Sequence, residues 1–362
     1  AISTILIIST LVIHNQMSFI KNKNLGYGKD NVVYFNVEGA LGDLETREML
    51  KSRILENPNF LSASYSNGSP LMVGSSTSGG YSWEGKVDEN QTNFYIIRTG
   101  HGFLETYGLE LLEGRSFDTN LSTDTLNVII NEQTAKLMNV EDPLNVPITF
   151  WNRTGRVVGI VKDFHFSSLH QSIDPLVIAL RPEDSQVFSV KITGQNIQES
   201  MAYLEETVKS INPNYPFSYN FVDESYEQLY RSETTIGTLA DYFSVIAIFI
   251  SLLGLFGLAS FAAEQRIKEI GVRKVLGASL MNLLFLMTKG FMVLVGIGFL
   301  IAAPIGYYFM NNWLDAFEYR VGIGASVFVL AGLASLVITV LTVSYHSLKA
   351  IHANPVNSLK YE

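Results

Sequence analysis

There is no cysteine among the 362 residues. That excludes disulfides, thiolate metal sites and a cysteine nucleophile. Charge is scarce as well: 16% of residues are Asp, Glu, Lys or Arg, against about 25% in soluble domains. The mean hydropathy is positive, so the deficit points to a membrane. Basic residues are the rarer sign, 25 against 34 acidic, for a net charge of -9. No basic stripe exists to neutralise phosphates, which argues against nucleic acid as a partner. No Walker motif is present, and "GYG", "GIG" and "GLFG" lack the strand-turn-helix setting of a phosphate loop, so the chain alone cannot hydrolyse ATP. The opening "AISTILIISTLVI" has no basic n-region and no small-residue cleavage site, as a signal peptide would.

Long uncharged apolar runs are abundant. The opening stretch is too short to cross roughly 30 Å of hydrocarbon, which takes about 20 helical residues. Residues 1–20 therefore read as the end of a truncated transmembrane helix. Three full spans follow at 242–263, 290–310 and 325–346, all uncharged, with Pro304 predicted to kink the second. Orientation follows Lys and Arg in short loops. The 264–289 connection carries Arg266, Lys268, Arg273, Lys274 and Lys289, whereas 311–324 carries only Arg320. This places 264–289 and the tail 347–362 in the cytoplasm, and 21–241 and 311–324 outside. Lys21, Lys23 and Lys29 fall on the outer side, where a long translocated domain largely escapes the charge rule.

The outer segment reads as a polar α+β domain over 21–223. "NVVYFNVEG" alternates like a strand, and a helical pattern follows in "DLETREMLKSRILENPNF". Later, "FSVKITG", "NIQESMAYLEETVKSINP" and "PFSYNFVD" give strand, helix, strand, the skeleton of a split βαβ layer. Residues 224–241 are predicted to be a helical stalk running unbroken into the next span. The fold class is thus a membrane α-helical protein with one truncated and three complete spans, carrying a large extracytoplasmic α+β domain with split βαβ elements.

Catalytic chemistry finds little support. In "KDFHFSSLH", Asp163 and His165 would share one face of a strand, as two metal ligands do, but no third ligand set of comparable density accompanies them. His101 reads as a turn residue. The Ser-rich "GSSTSGGYSWEG" is a loop without an identifiable base or orienting group. No catalytic, cofactor or metal residues are assigned, and the periplasmic-enzyme reading is disfavoured.

The basic loop is different. On a helix, Ile267, Ile270 and Val275 are predicted to form one apolar face, and Glu269 to Arg273 is a favourable i, i+4 pair. Gly277 suits a C-cap and Ser279 the next N-cap, while "LMNLLFLMTK" reads as interfacial. Topology alone needs no capped helix of this kind.

"RIKEIGVRKVLGAS" between two spans, with the closing "ANPVNSLKYE", resembles the permease subunits of FtsX-like, MacB-type ABC transporters. "GLELLEGRSF", "VIINEQTAKLM" and "VVGIVKDFHFSSLHQSIDPLVI" are similar to that family's periplasmic core domain. The resemblance spans essentially the whole chain and implies the second unit of a duplicated permease. It further implies a cytoplasmic ABC ATPase dimer, holding the ATP, docked on Arg266, Glu269, Ile270, Arg273, Lys274 and Gly277. The permease itself would bind no cofactor and would convert ATP-driven closure into movement of the outer domain. That movement would serve export of peptides, antibiotics or lipoproteins, or control of cell-wall hydrolases. Further implied partners are lipids, a periplasmic adaptor or hydrolase, and a second half or copy, at a bacterial inner membrane. The alternative is a membrane-anchored ligand sensor signalling through a docked partner.

Overall fold

The structure is a computed structural model describing residues 1–69, 73, 75–86, 92–144, 146–150 and 153–352. The closing "ANPVNSLKYE" lies outside the described residues. The chain divides into two compact units, Ala1–Asn22 with Arg231–Glu362, and Lys23–Tyr230.

Helix α1 (Ile2–Asn22) opens the first unit. The second unit then begins with β1 (Val32–Asn36), α2 (Leu44–Leu55) and β2 (Phe60–Ser66). Asp43 starts α2 by accepting the Thr46 amide, so one orphan N–H at the helix end is satisfied. Next come β3 (Ser76–Thr77), β4 (Tyr81–Trp83), β5 (Phe94–Thr99), α3 (Phe103–Tyr107) and β6 (Leu111–Gly114). They lead to β7 (Val128–Asn131), α4 (Glu132–Met138), β8 (Pro147–Phe150), β9 (Arg153–Val161) and β10 (Leu176–Leu180). The unit closes with β11 (Val187–Ile192), α5 (Ile197–Ile211), β12 (Asn220–Phe221) and α6 (Val222–Leu229).

The sheet runs β12-β1-β11-β2-β5-β10-β7-β9-β8-β4. Its first four strands are antiparallel neighbours. Consequently β1-α2-β2 brackets β11, and β11-α5-β12 brackets β1. Two interleaved split βαβ units result, with the chain from residue 67 to 186 inserted between their halves. Alternate residues of β1, β2 and β11, including Val33, Phe35, Tyr65 and Phe188, bury against Leu50 and Ile54 of α2 and Leu204 and Val208 of α5. The inserted strands have their own core, around Phe94, Ile130, Val157 and Val177. The β2–β5 ladder joins the two halves through one residue pair, Ser66 and Thr99.

Two strand expectations are corrected. Of "PFSYNFVD", only Asn220 and Phe221 pair in the ladder. β9 ends at Val161, so Asp163 and His165 lie beyond it and share no strand face. The stalk is corrected as well. Tyr230, at φ −110° and ψ 18°, separates α6 from α7 (Arg231–Gln265), so the helical run is broken there.

Unit one continues through α8 (Ile267–Val275), α9 (Leu280–Leu314) and α10 (Ala325–His352). Helices α1, α7, α9 and α10 are all long and apolar enough to cross a membrane. Ile8 and Val12 of α1 pack against Met310 and Leu314 of α9 and Val327 and Ala331 of α10. Gly306 permits this approach, since a Cβ there would sit 3.3 Å from Ile8. Buried Gln16 of α1 accepts the Val321 amide at 2.9 Å and donates to the Tyr319 carbonyl at 3.0 Å. "LMNLLFLMTK" forms the first turns of α9, which continues without interruption into the predicted span and through Pro304.

Candidate functional site

The 264–279 loop folds into α8 and a tight turn. Arg266 occupies the N-cap position. At the other end Gly277 adopts φ +87°, the Ala278 amide bonds the Arg273 carbonyl at 2.9 Å, and the Gly277 amide bonds that of Lys274 at 3.1 Å. These two bonds form a Schellman motif, which satisfies the last carbonyls and needs a left-handed residue at its centre. Two residues on, the Ser279 hydroxyl accepts the Asn282 amide and starts α9. Both caps were legible in the sequence.

The predicted apolar face is not. Ile270 is buried with Ala263 of α7 and with Leu283 and Met287 of α9, but Val275 is 72% exposed. Five residues at 100° each place them 140° apart on the wheel, so they share no face. The outward stripe is Val272, Val275 and Leu276, at i, i+3 and i+4, which are 48%, 72% and 79% exposed. Sequence reasoning missed this trio, although a stricter wheel would have separated it from Ile270. Glu269 and Arg273 pair at 2.7 Å on the surface, a contact worth about 0.3–0.5 kcal/mol. Ile270 thus fastens α8 to the ends of two spanning helices, while a basic and apolar outer face stays open.

The second stretch singled out, 162–170, is built for structure. Asp163 accepts the Gln133 amide at 3.0 Å, capping the start of α4, and its own amide donates to Glu132 at 2.9 Å. Burial raises the Asp163 carboxyl above its ordinary range. His165 is nearly buried, and burial first, then Lys23, lowers its pKa to about 4. It is therefore neutral at physiological pH. Among the described residues, no group of three or more His, Cys, Asp or Glu side chains is arranged to hold a metal. His101 sits in a turn whose carbonyl accepts from Lys51 at 2.6 Å. Part of the Ser-rich loop forms β3 and β4, the latter paired with β8.

Residues 242–355 match the family described as FtsX-like permease C-terminal. The chain carries an FtsX-like permease domain. That domain includes α8 and all six loop residues from Arg266 to Gly277. Over 288 residues this chain is 27% identical to the macrolide export ATP-binding/permease protein MacB of Aggregatibacter actinomycetemcomitans, covering 75% of this chain and 43% of that protein. Over 304 residues it is 20% identical to YknZ of Bacillus subtilis (strain 168), described as an uncharacterized ABC transporter permease; the match covers 78% of this chain and 73% of that one. The chain thus spans less than half the length of this MacB relative. Among solved structures, the periplasmic region of MacB from Actinobacillus actinomycetemcomitans aligns with 58% of this chain and 98% of that one, at 19% identity and a TM-score of 0.40. Among the described residues four helices are long and apolar enough to cross a membrane, and with the FtsX-like domain and the MacB relatives they make this chain a multi-pass inner-membrane protein with an extracytoplasmic domain.

Proposed function

We propose that this chain is the permease part of an ABC transporter whose ATPase docks on α8. The observation that carries this reading is the open face of α8, where Val272, Val275 and Leu276 are exposed beside Arg273 and Lys274. Ile270 holds the helix to α7 and α9 from beneath, and Gly277 sets the turn into α9. An ATPase surface with an apolar groove and an acidic rim would complement that face. Arg266 and Glu269 frame it, Glu269 by orienting Arg273. Displacement of α8 on ATP binding would move α7 and α9, and the output would be movement of the extracytoplasmic domain. ATP belongs to the partner in this reading, and the permease binds no cofactor. Export of an amphiphilic cargo and control of a periplasmic enzyme are both outputs such a machine can serve. A second half or copy of the permease would complete the assembly.

The test is the double substitution of Val275→Glu with Leu276→Glu in the complete protein, expressed with its ATPase. Both side chains already face outward, so folding is expected to persist. Co-purification of the ATPase is expected to fall at least about tenfold, as when a central apolar anchor is lost. Undiminished capture would overturn the reading. Capture of a partner without ATPase activity would favour the ligand-sensor alternative.

A further inference from the structure

The chain enters the Lys23–Tyr230 unit after α1 and leaves it before α7, and one loop of that unit grips the chain at both ends. The loop follows β9 and contains the "KDFHFSSLH" stretch that the coupling reading leaves unused. On the α1 side, the His165 amide donates to the Leu25 carbonyl at 2.8 Å. Gly26 has φ +81°, and a Cβ there would lie 2.7 Å from the Asp163 carbonyl oxygen and 2.9 Å from the Phe164 backbone, so only glycine allows this approach. Tyr27 meets Phe164 edge-on at 6.3 Å.

On the α7 side, the Leu169 amide donates to the Tyr230 hydroxyl at 2.7 Å. Leu169 and Tyr230 are both buried. The His170 ring stacks on Tyr230 at 6.2 Å and 17°, and Ser168 Oγ lies 2.7 Å from His170 Nδ1. Tyr226 packs edge-on against Tyr230 at 5.2 Å. Lys29, from the segment after α1, sits 4.5 Å over the Tyr226 ring, which ties the two crossings to each other.

The loop is itself fastened to the inserted half of the sheet. Asp163 holds the start of α4. Asn131, at the end of β7, donates to the Asp174 carbonyl at 3.0 Å and accepts the Leu176 amide at 2.9 Å. A displacement arriving at Tyr230 therefore has a short route, along the loop backbone and through these bonds, into β7, α4 and β10.

We propose that residues 162–170 form a clasp that holds the two membrane crossings of the outer domain together and passes their movement to its inserted half, with Tyr230 as the positioning residue. The helical break at Tyr230 then has a purpose. Leaving helical geometry there coincides with a side chain directed into the domain, at the first residue before the membrane helix. This inference rests on the ATP-coupled reading above for its source of motion, but the clasp itself has an independent readout.

The experiment is deuterium exchange on the complete protein with its ATPase in lipid nanodiscs, without nucleotide and with ATP trapped. Tyr230→Phe keeps the ring and removes the acceptor of the buried Leu169 amide. Without nucleotide, exchange across 164–170 is expected to rise about tenfold. ATPase binding should be unchanged, and the ATP-dependent exchange difference over β7, β9 and β10 should be lost. Ser168→Ala removes a longer contact to the Tyr230 hydroxyl, 3.5 Å, but leaves the Leu169–Tyr230 bond in place and should retain that difference. An ATP-dependent difference that persists in Tyr230→Phe would overturn the proposal, and so would unchanged exchange at 164–170. Equal loss in Ser168→Ala would overturn the role given to Tyr230. Failure of the ATPase to bind the wild-type protein would sink the coupling reading alone, since exchange without nucleotide still decides the clasp.

Discussion

Two glycines, one inside α8 and one in the turn that ends it, allow the same substitution to be made with opposite consequences. Gly277 sits at φ +87°, and a Cβ added there meets no heavy atom within 4 Å. Gly277→Ala therefore costs only the strain of holding an L-residue in left-handed geometry, about 1–2 kcal/mol, which is about a 5- to 30-fold change in the local equilibrium. Gly271 lies inside the helix, and a Cβ there also meets nothing within 4 Å. Gly271→Ala instead removes backbone freedom from the frayed state and should stabilise α8 by about 0.5–1 kcal/mol. Deuterium uptake over 267–278 in the complete, membrane-embedded protein reads both changes. Opening should increase in Gly277→Ala and decrease in Gly271→Ala, with Gly277→Asn close to wild type because Asn tolerates that geometry. If both alanine variants moved exchange in the same direction, the Schellman turn would not be what ends α8.

Two further outcomes follow from buried polar contacts. Asp124, fully buried, accepts from Arg115 at 2.6 and 2.8 Å, from the Asp118 amide at 2.8 Å and from Asn127 at 2.8 Å. Burial alone would raise its pKa, but these donors more than offset it, leaving a value of about 2. Because the folded value lies below the unfolded one, about 3.9, its stabilisation is complete above about pH 4 and fades as pH falls toward 2. Asp124→Ala should abolish that acid dependence and cost about 2–3 kcal/mol, less than a deeply buried pair because Arg115 can turn to water; amide exchange over 115–127 against pH measures both. Gln16→Ala should leave the Val321 amide without its acceptor, at a cost of about 1–3 kcal/mol, read as faster exchange at Val321. Unchanged exchange there would show that α1 does not clamp the outer loop.

What was legible in the sequence follows from how far each element depends on its neighbours. The spanning helices need only an uncharged run longer than the hydrocarbon, and "YFSVIAIFISLLGLFGLASFAA" supplies one. The caps at Gly277 and Ser279 are local chemistry and were readable for the same reason. β10 was missed because all five residues of "LVIAL" are buried. With both faces covered, no alternation survives to mark a strand. β4 is a three-residue strand whose partner, β8, lies far along the chain, so its pairing has no local signature. On α8, apolar spacing alone assigned Ile267, Ile270 and Val275 to one face. Which apolar residues turn inward is decided by Ala263, Leu283 and Met287, which belong to other helices. The Tyr230 break is likewise tertiary: no Pro or Gly marks it, and its side chain answers to Leu169, 61 positions earlier.

The absence of cysteine makes the central claim directly testable. Val272 faces outward on α8 and is half-exposed, so Val272→Cys places a thiol on the face assigned to the partner. In the complete protein in native membranes, with any cysteines beyond this segment replaced, that position would be crosslinked and the captured protein identified by mass spectrometry. The account predicts a nucleotide-binding ATPase, captured in a yield that changes with ATP. Capture of lipid alone, from a folded and active protein, would contradict it and leave α8 as a topology signal.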